Sequence, residues 1–255
     1  MFSSVDIMSW VAQYYWAFLR MSALFLAAPV FSAASLPVRV RVLLAVLITA
    51  LVTPSLPVAP AVDVFGPEGI VIAAQQVLIG VAMGFILQMV FAAAVVAGQA
   101  MAMAMGLGFA MSVDPQNGIQ VPVLSQFYVI LATLLFVSID GHLLLIECLV
   151  NSFVLLPVGA LALGESLAMK VVLWGSQMFL GSLLVSLPAL TALLLINLAF
   201  GVITRAAPQL NIFAVGFPVT ILAGFIFMFL TLPSAFNLFV QLFDSALAQA
   251  DQLVR

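Results

Sequence analysis

The chain's one histidine, His142, stands in "IDGHLLLIE", two positions after Asp140 and five before Glu147. An imidazole between two carboxylates could relay a proton, and ionisable groups inside an apolar run are functional candidates by default. The run offers no cysteine or second histidine at ligand spacing, which argues against a metal centre. The other reading of "DGH" is an interfacial turn whose histidine is hydrogen-bonded. "GES" at Gly164–Ser166 holds half of a hydrolase elbow, but Leu167 and Ala168 follow where G-x-S-x-G needs glycine. "GLGFA" at Gly106–Ala110 lacks the third glycine and the later acid of a dinucleotide fingerprint, and no strand precedes it. The residues therefore predict no catalytic group, no cofactor and no metal; an intramembrane protease also fails, for want of a nucleophile beside a base.

The surrounding composition is that of a membrane protein. Hydrophobic residues make up 66% of the 255 and charged residues 6%, with a mean hydropathy of +1.35. That length accommodates about six helices of the ~20 residues needed to cross ~30 Å of hydrocarbon. The six basic residues are scattered, so nothing forms a basic stripe for nucleic acid, and they are too few to fix a topology. The single Cys148 lies in an apolar run and reads as a small core hydrophobe. At the N-terminus Asp6 stands where a secretory signal carries positive charge, so no cleaved signal is expected; Trp10, Tyr14, Tyr15 and Trp16 suit an interfacial helix end.

Charges and Pro/Gly clusters cut the chain into apolar blocks. The first, from about Ile7 to Ser35, is divided by Arg20 and Pro29; the second, Val42 to Val62, stops at "TPSLPVAP". From Gly69 to Val113 no charge occurs, and as one helix that run would extend roughly 65 to 70 Å. Either it breaks in two, or it belongs to an assembly whose helices need not match a bilayer. Lys170 to Asp244 has one interior charge, Arg205, and reads as a two-helix hairpin broken around Gly201, Pro208 and Asn211 to Pro218. The closing "SALAQADQLVR" reads as a polar tail leaving the apolar phase. Small-residue spacings such as Gly80/Gly84, Ala94/Gly98 and Gly175 to Gly181 predict close helix packing.

The stretch "QAMAMAMGLGFAMSVDPQNG", Gln99–Gly118, departs from this pattern. At ~100° per residue, alternating methionines spread around more than half of a helix and meet different neighbours. Methionine is unbranched and adaptable, suited to surfaces that repack. The D-P and N-G turn signals that follow cannot face lipid, because free backbone groups there gain no partners. Such a segment is buried in protein, lines an aqueous cavity, or forms a plain loop at the membrane surface. The lack of Lys or Arg and the Met/Ala/Phe approach favour a pore-lining constriction.

"GLGFAMSVDPQNGIQVPVLSQF", "DGHLLLI" and "RAAPQLNIFAVGFP" resemble the FliR family, the R-subunits of the type III export gate, across nearly the whole chain. The resemblance implies an all-α, membrane-associated bundle of long, broken helices and hairpins. A FliP-like part spans 1–169 and a FliQ-like hairpin with its tail spans 170–255, as one integrated unit. It implies a non-enzymatic subunit, one copy joining FliP and FliQ in a pore at the bacterial inner membrane and flagellar basal body. FlhB and FlhA are further implied partners, membrane lipid surrounds it, unfolded flagellar substrates pass through it, and nucleic acid plays no part. Much of such a complex sits above the ordinary membrane plane.

The family's pore plug falls on 106–122. Met101, Met103, Met105, Gly106, Gly108, Phe109, Met111, Asp114, Pro115, Gly118 and Pro122 are its candidate gate residues. Arg205, Pro208, Gln209, Asn211, Gly216 and Pro218 are candidates for subunit or helix packing. If desolvated, Arg205 needs a partner; otherwise it snorkels to the cytoplasmic side. The alternative function is a small-molecule or ion transporter, for which Asp114, Asp140 and Glu147 are the available coupling carboxylates.

Overall fold

The computed structural model describes residues 4–33, 36–60, 62–107, 123–159, 165–207 and 212–254, and everything described in ordered elements is helical. The order is α1 (Ser4–Ala27), a single turn α2 (Pro29–Ser32), α3 (Val38–Val52) running into a 3-10 turn (Thr53–Ser55), α4 (Pro67–Ala104), α5 (Val123–Ser138), α6 (Gly141–Leu155), α7 (Glu165–Ala206) and α8 (Ile212–Leu253). Among the described residues four helical stretches, Val38–Ser55, Pro67–Ala104, Leu167–Ala206 and Ala214–Leu253, are long and apolar enough to cross a membrane, and the pair α5 and α6, bent by 65°, counts as a fifth if it is one broken span.

Local chemistry sets the breaks. Pro29 enters at the first turn of α2, where its missing amide costs nothing, and Pro54 closes α3 through the 3-10 turn. Pro67 opens α4. Asp140 makes the turn before α6 in the left-handed region, at φ 56, a conformation that asparagine and aspartate tolerate better than other side chains.

The chain-length question raised by the charge-free run has a direct answer. α4 is one unbroken helix of 38 residues, about 57 Å long at ~1.5 Å per residue. α7 and α8 have 42 residues each, about 63 Å, or roughly twice the hydrocarbon thickness. Pro188 lies inside α7, and Pro218 and Pro233 inside α8. Gly201, Gly216 and Pro218, expected at the hairpin break, are therefore helical. α7 runs to Ala206 and α8 starts at Ile212, because apolar surroundings leave helix as the only way to pair backbone groups even where local propensity is poor.

Contacts divide the chain into two compact units. One comprises Met1–Met89, Ile139–Ser176 and Phe243–Arg255, the other Val90–Ser138 and Gln177–Leu242. In the first, α4 packs against α1 through small residues. A Cβ at Gly84 would come within 2.6 Å of Ala27 Cβ, and one at Gly80 would run into the Arg20 carbonyl oxygen. Trp16, Ala12 and Ile72 form a buried cluster. The end of α8 belongs to this unit and is not a free tail: Phe243, Ala246, Leu247, Ala250 and Leu253 are buried at helical spacing. Lys170 Nζ donates to the Gln252 carbonyl at 2.9 Å, placing a cation at the negative end of α8.

In the second unit α4 meets α5 as closely as it meets α1 in the first. A Cβ at Gly98 would lie 2.5 Å from Ser125 Cα, and Ser125 Oγ donates to the Val95 carbonyl at 2.9 Å. Gly181 abuts Leu242, making α7 and α8 antiparallel neighbours, whereas Gly175 faces open space. Large apolar side chains remain exposed along the hairpin, including Leu194, Leu195 and Leu198 at 66 to 68% and Phe229 at 74%.

Candidate functional site

The best-defined arrangement near the candidate gate is the C-terminal end of α4, inside the second unit. A helix ends with carbonyls that have no intrahelical partner. Here two hairpin side chains supply partners: Asn197 Nδ2 of α7 donates to the Ala104 carbonyl at 3.3 Å, and Thr220 Oγ1 of α8 donates to the Met105 carbonyl at 3.2 Å. Met105 packs so tightly against Gly224 that a Cβ there would clash with its side chain. Gly106 takes φ +82, a region glycine enters without cost, and a Cβ on it would meet Phe217 Cε1 at 2.6 Å. The amides of Met105, Gly106 and Leu107 close the helix onto Met101, Met103 and Ala102.

The methionines divide as helical geometry requires. Met101 and Met105, four apart, are both buried at 1%, while Met103 between them is 61% exposed. Met101 Sδ accepts from the Tyr128 hydroxyl at 3.7 Å, and the Tyr128 ring lies 6.4 Å from that of Phe239. Met101 and Met105 are thus committed to internal packing, which leaves Met103 free to face another surface. Gly108, Phe109, Met111, Asp114, Pro115, Gly118 and Pro122 lie outside the described residues, as do Pro208, Gln209 and Asn211. Arg205 is exposed in the last turn of α7, where a cation complements the helix dipole. Gly216 is buried and Pro218 exposed on α8.

Sequence reasoning missed a buried cation in the first unit. Arg20 is 0% exposed, and neutral groups surround it. Its Nε donates to Gln76 Oε1 at 2.7 Å, Nη1 to Ser152 Oγ at 2.9 Å and Nη2 to the Leu156 carbonyl at 3.1 Å. The guanidinium carbon lies 4.0 Å from the centre of the Phe153 ring, within cation–π range. Leu156 is the C-cap of α6, so the negative end of that helix dipole faces the charge. One fork thereby joins α1, α4 and α6. The available signal was a lone arginine in the middle of a 24-residue apolar helix, with a glutamine and a serine in other apolar helices.

Of the "DGH" residues, Asp140 makes the turn and Gly141 and His142 open α6. Asp140 is exposed ahead of α6 and Glu147 is exposed on it, while His142 Nδ1 is buried without a hydrogen bond. Among the described residues no group of three His, Cys, Asp or Glu could hold a metal ion.

Long apolar helices joined through glycines, a buried neutral-caged arginine and four or five candidate spans define a helical membrane protein. The profile of the family described as "Bacterial export proteins, family 1" matches residues 11–246, and the chain belongs to that family. Its relatives are called flagellar biosynthetic protein FliR. The one from Pectobacterium carotovorum subsp. carotovorum is 42% identical over 247 residues, covering 95% of this chain and 94% of the relative. The one from Escherichia coli (strain K12) is 43% identical over 231 residues, 91% and 88% of the two chains. The one from Bacillus subtilis (strain 168) is 29% identical over 241 residues, 91% and 93%. Family membership supports a role in flagellar protein export and, with the apolar helices, a membrane location.

Proposed function

We propose that this chain is a structural, pore-forming subunit of the flagellar type III export gate. It closes an assembly of FliP and FliQ subunits in the bacterial inner membrane at the flagellar basal body, next to FlhB and FlhA, and passes unfolded flagellar substrates. Residues 1–169 act as the FliP-like part and 170–255 as the FliQ-like hairpin. The segment 106–122 acts as the plug, and no step of the activity is enzymatic.

The observation that carries this reading is the anchoring of α4 immediately before that segment. Asn197 and Thr220 hold the Ala104 and Met105 carbonyls, so the plug starts from a fixed point on the hairpin. The long exposed apolar faces of α7 and α8 support a place within an assembly, since contiguous apolar surface of this kind marks interaction sites. Membership of an export family favours this function over a small-molecule or ion transporter.

Two measurements test it. The chain should co-purify with FliP and FliQ subunits. Replacing 106–118 by a short Gly/Ser linker should preserve that assembly while raising ion leakage through it. Failure to assemble removes the subunit reading; assembly with unchanged leakage removes only the plug.

A further inference from the structure

The two long hairpin helices carry the same short motif, a hydroxyl two residues ahead of a proline: Ser186-Leu187-Pro188 in α7 and Thr231-Leu232-Pro233 in α8. Ser186 Oγ donates to the Ser182 carbonyl at 2.8 Å and reaches the Leu183 carbonyl at 3.3 Å. Thr231 Oγ1 does the same with the Phe227 and Met228 carbonyls, at 2.9 and 3.2 Å. Such back-bonds compete with the helix's own amides and loosen the ladder slightly. A proline adds to this, because it has no amide for the carbonyl four residues back, here that of Leu184 in α7 and of Phe229 in α8. The carbonyls of 182–184 and of 227–229 thus have their backbone bond shared or missing.

The two motifs stand at one height in the hairpin. Gly181 abuts Leu242, and from that contact Pro188 lies seven residues up α7 and Pro233 nine residues back along α8. At ~1.5 Å per residue the prolines differ in height by about 3 Å, less than one helical turn. Both prolines are exposed, and the buried residues beside them are small, Ala189 at 1% and Ala235 at 3%, so neither ring is wedged into the core. Back-bonding alone is not special here, since Ser176 and Thr204 of α7 do it as well. Pro218, the other proline of α8, has Gly216 two residues before it. Within the described helices the two effects coincide only at 186–188 and 231–233.

We propose that the paired motifs form a transverse joint, a height at which both arms of the hairpin open locally and bend together. Helix bending concentrates at proline and where the hydrogen-bond ladder is interrupted. One weakened helix lying against an intact one would be held straight by its neighbour's ladder; weakening both at the same height removes that restraint. On the loop side of the joint the hairpin carries Asn197 and Thr220, which hold the Ala104 and Met105 carbonyls. Bending there moves the two anchors as one body and leaves their bonds to α4 intact. The joint does not depend on any role for 106–122.

Amide hydrogen exchange on the full chain in detergent, read by mass spectrometry, tests the joint. The amides of Ser186, Leu187, Thr231 and Leu232 should be about fivefold less protected than those of Ser176 and Gln177, where a hydroxyl back-bonds with no proline behind it. Pro188→Ala restores an amide for the Leu184 carbonyl and should raise protection about fivefold at Ser186 and Leu187. Because the arms open together, it should raise protection at Thr231 and Leu232 as well, and Pro233→Ala should do the same from the other side. Both should unfold at a higher temperature than the parent, as removal of an interior proline allows. Ser186→Ala combined with Thr231→Val keeps the prolines, frees the carbonyls and should raise protection at the same four amides. Pro218→Ala, outside the joint, should leave them unchanged. Equal protection at the motifs and at Ser176 in the parent would make the prolines static bends. Protection gained only in the substituted arm would make them two separate kinks, and either result overturns the proposal.

Discussion

Arg20 Nη2 donates to the Leu156 carbonyl at 3.1 Å, which puts a fully buried cation against the C-terminus of α6. The charge is held by a helix dipole, a ring face and neutral acceptors. Because Nε and Nη1 reach Gln76 and Ser152 at the same time, Arg20 acts as a three-way tie between helices far apart in sequence.

Arg20→Leu should therefore destabilise the detergent-solubilised chain by about 3 kcal/mol. It leaves the Gln76 and Leu156 oxygens unpaired at ~1 to 3 kcal/mol each, partly offset by relief of the buried charge. Arg20→Lys keeps the charge but cannot span three acceptors in a planar fork, and should lose about 2 kcal/mol. Denaturant or thermal unfolding followed by circular dichroism checks both. A neutral Arg20→Leu would remove the structural tie.

The glycines of α4 and α7 should respond in opposite directions. Gly98→Leu drives a side chain into the Ser125 backbone and should cost about 3 kcal/mol or more, at the upper end of overpacking penalties. Gly175→Ala meets open space and should add about 0.5 to 1 kcal/mol to the isolated chain through helix propensity. Comparing the two unfolding midpoints checks the packing, since propensity alone would favour both substitutions.

Removing the hairpin's hold on α4 should loosen a short, defined stretch. Asn197→Ala and Thr220→Val each delete a hydrogen bond to the last carbonyls of α4, worth about 1 kcal/mol apiece. Amide exchange at Met105, Gly106 and Leu107 should accelerate about fivefold in each variant, with little change near Phe91. Uniform acceleration along α4 would instead signal global destabilisation.

Gly106→Ala tests the same corner from the backbone side. Its φ of +82 and its approach to Phe217 together should cost about 1 to 3 kcal/mol. A double variant with Phe217→Ala should recover only the steric share. Full recovery would show that the left-handed backbone carries no cost.

Much of this architecture was legible in the residues. Pro29 marked the end of α1 and a proline cluster the end of α3, and Gly80, Gly84 and Gly98 announced close packing on α4, because these effects act within a turn or two of the residue concerned. The alternating methionines also behaved as helical geometry demands, Met101 and Met105 on one face and Met103 on another. The hairpin break was placed too broadly. Gly201 and Pro218 have poor helix propensity, yet both are helical, since propensity costs about 1 to 3 kcal/mol per residue while unpaired backbone in an apolar setting costs several per group. The end of α8 carries more than its polar residues suggest: an apolar stripe runs beneath them, and the first unit buries it.

Composition and periodicity determined that the chain is helical, apolar and built for a membrane, because each residue contributes to those properties locally and additively. Tertiary structure alone decided which charge is buried. Arg20 and Arg205 look alike in the sequence, each a lone cation in an apolar run. Arg20 is caged by groups 56 to 136 positions away, while Arg205 is exposed at the end of a helix. Gln75 and Gln76 are adjacent and identical, yet the ~100° between successive helical side chains turns Gln76 onto Arg20 and sets Gln75 along a groove.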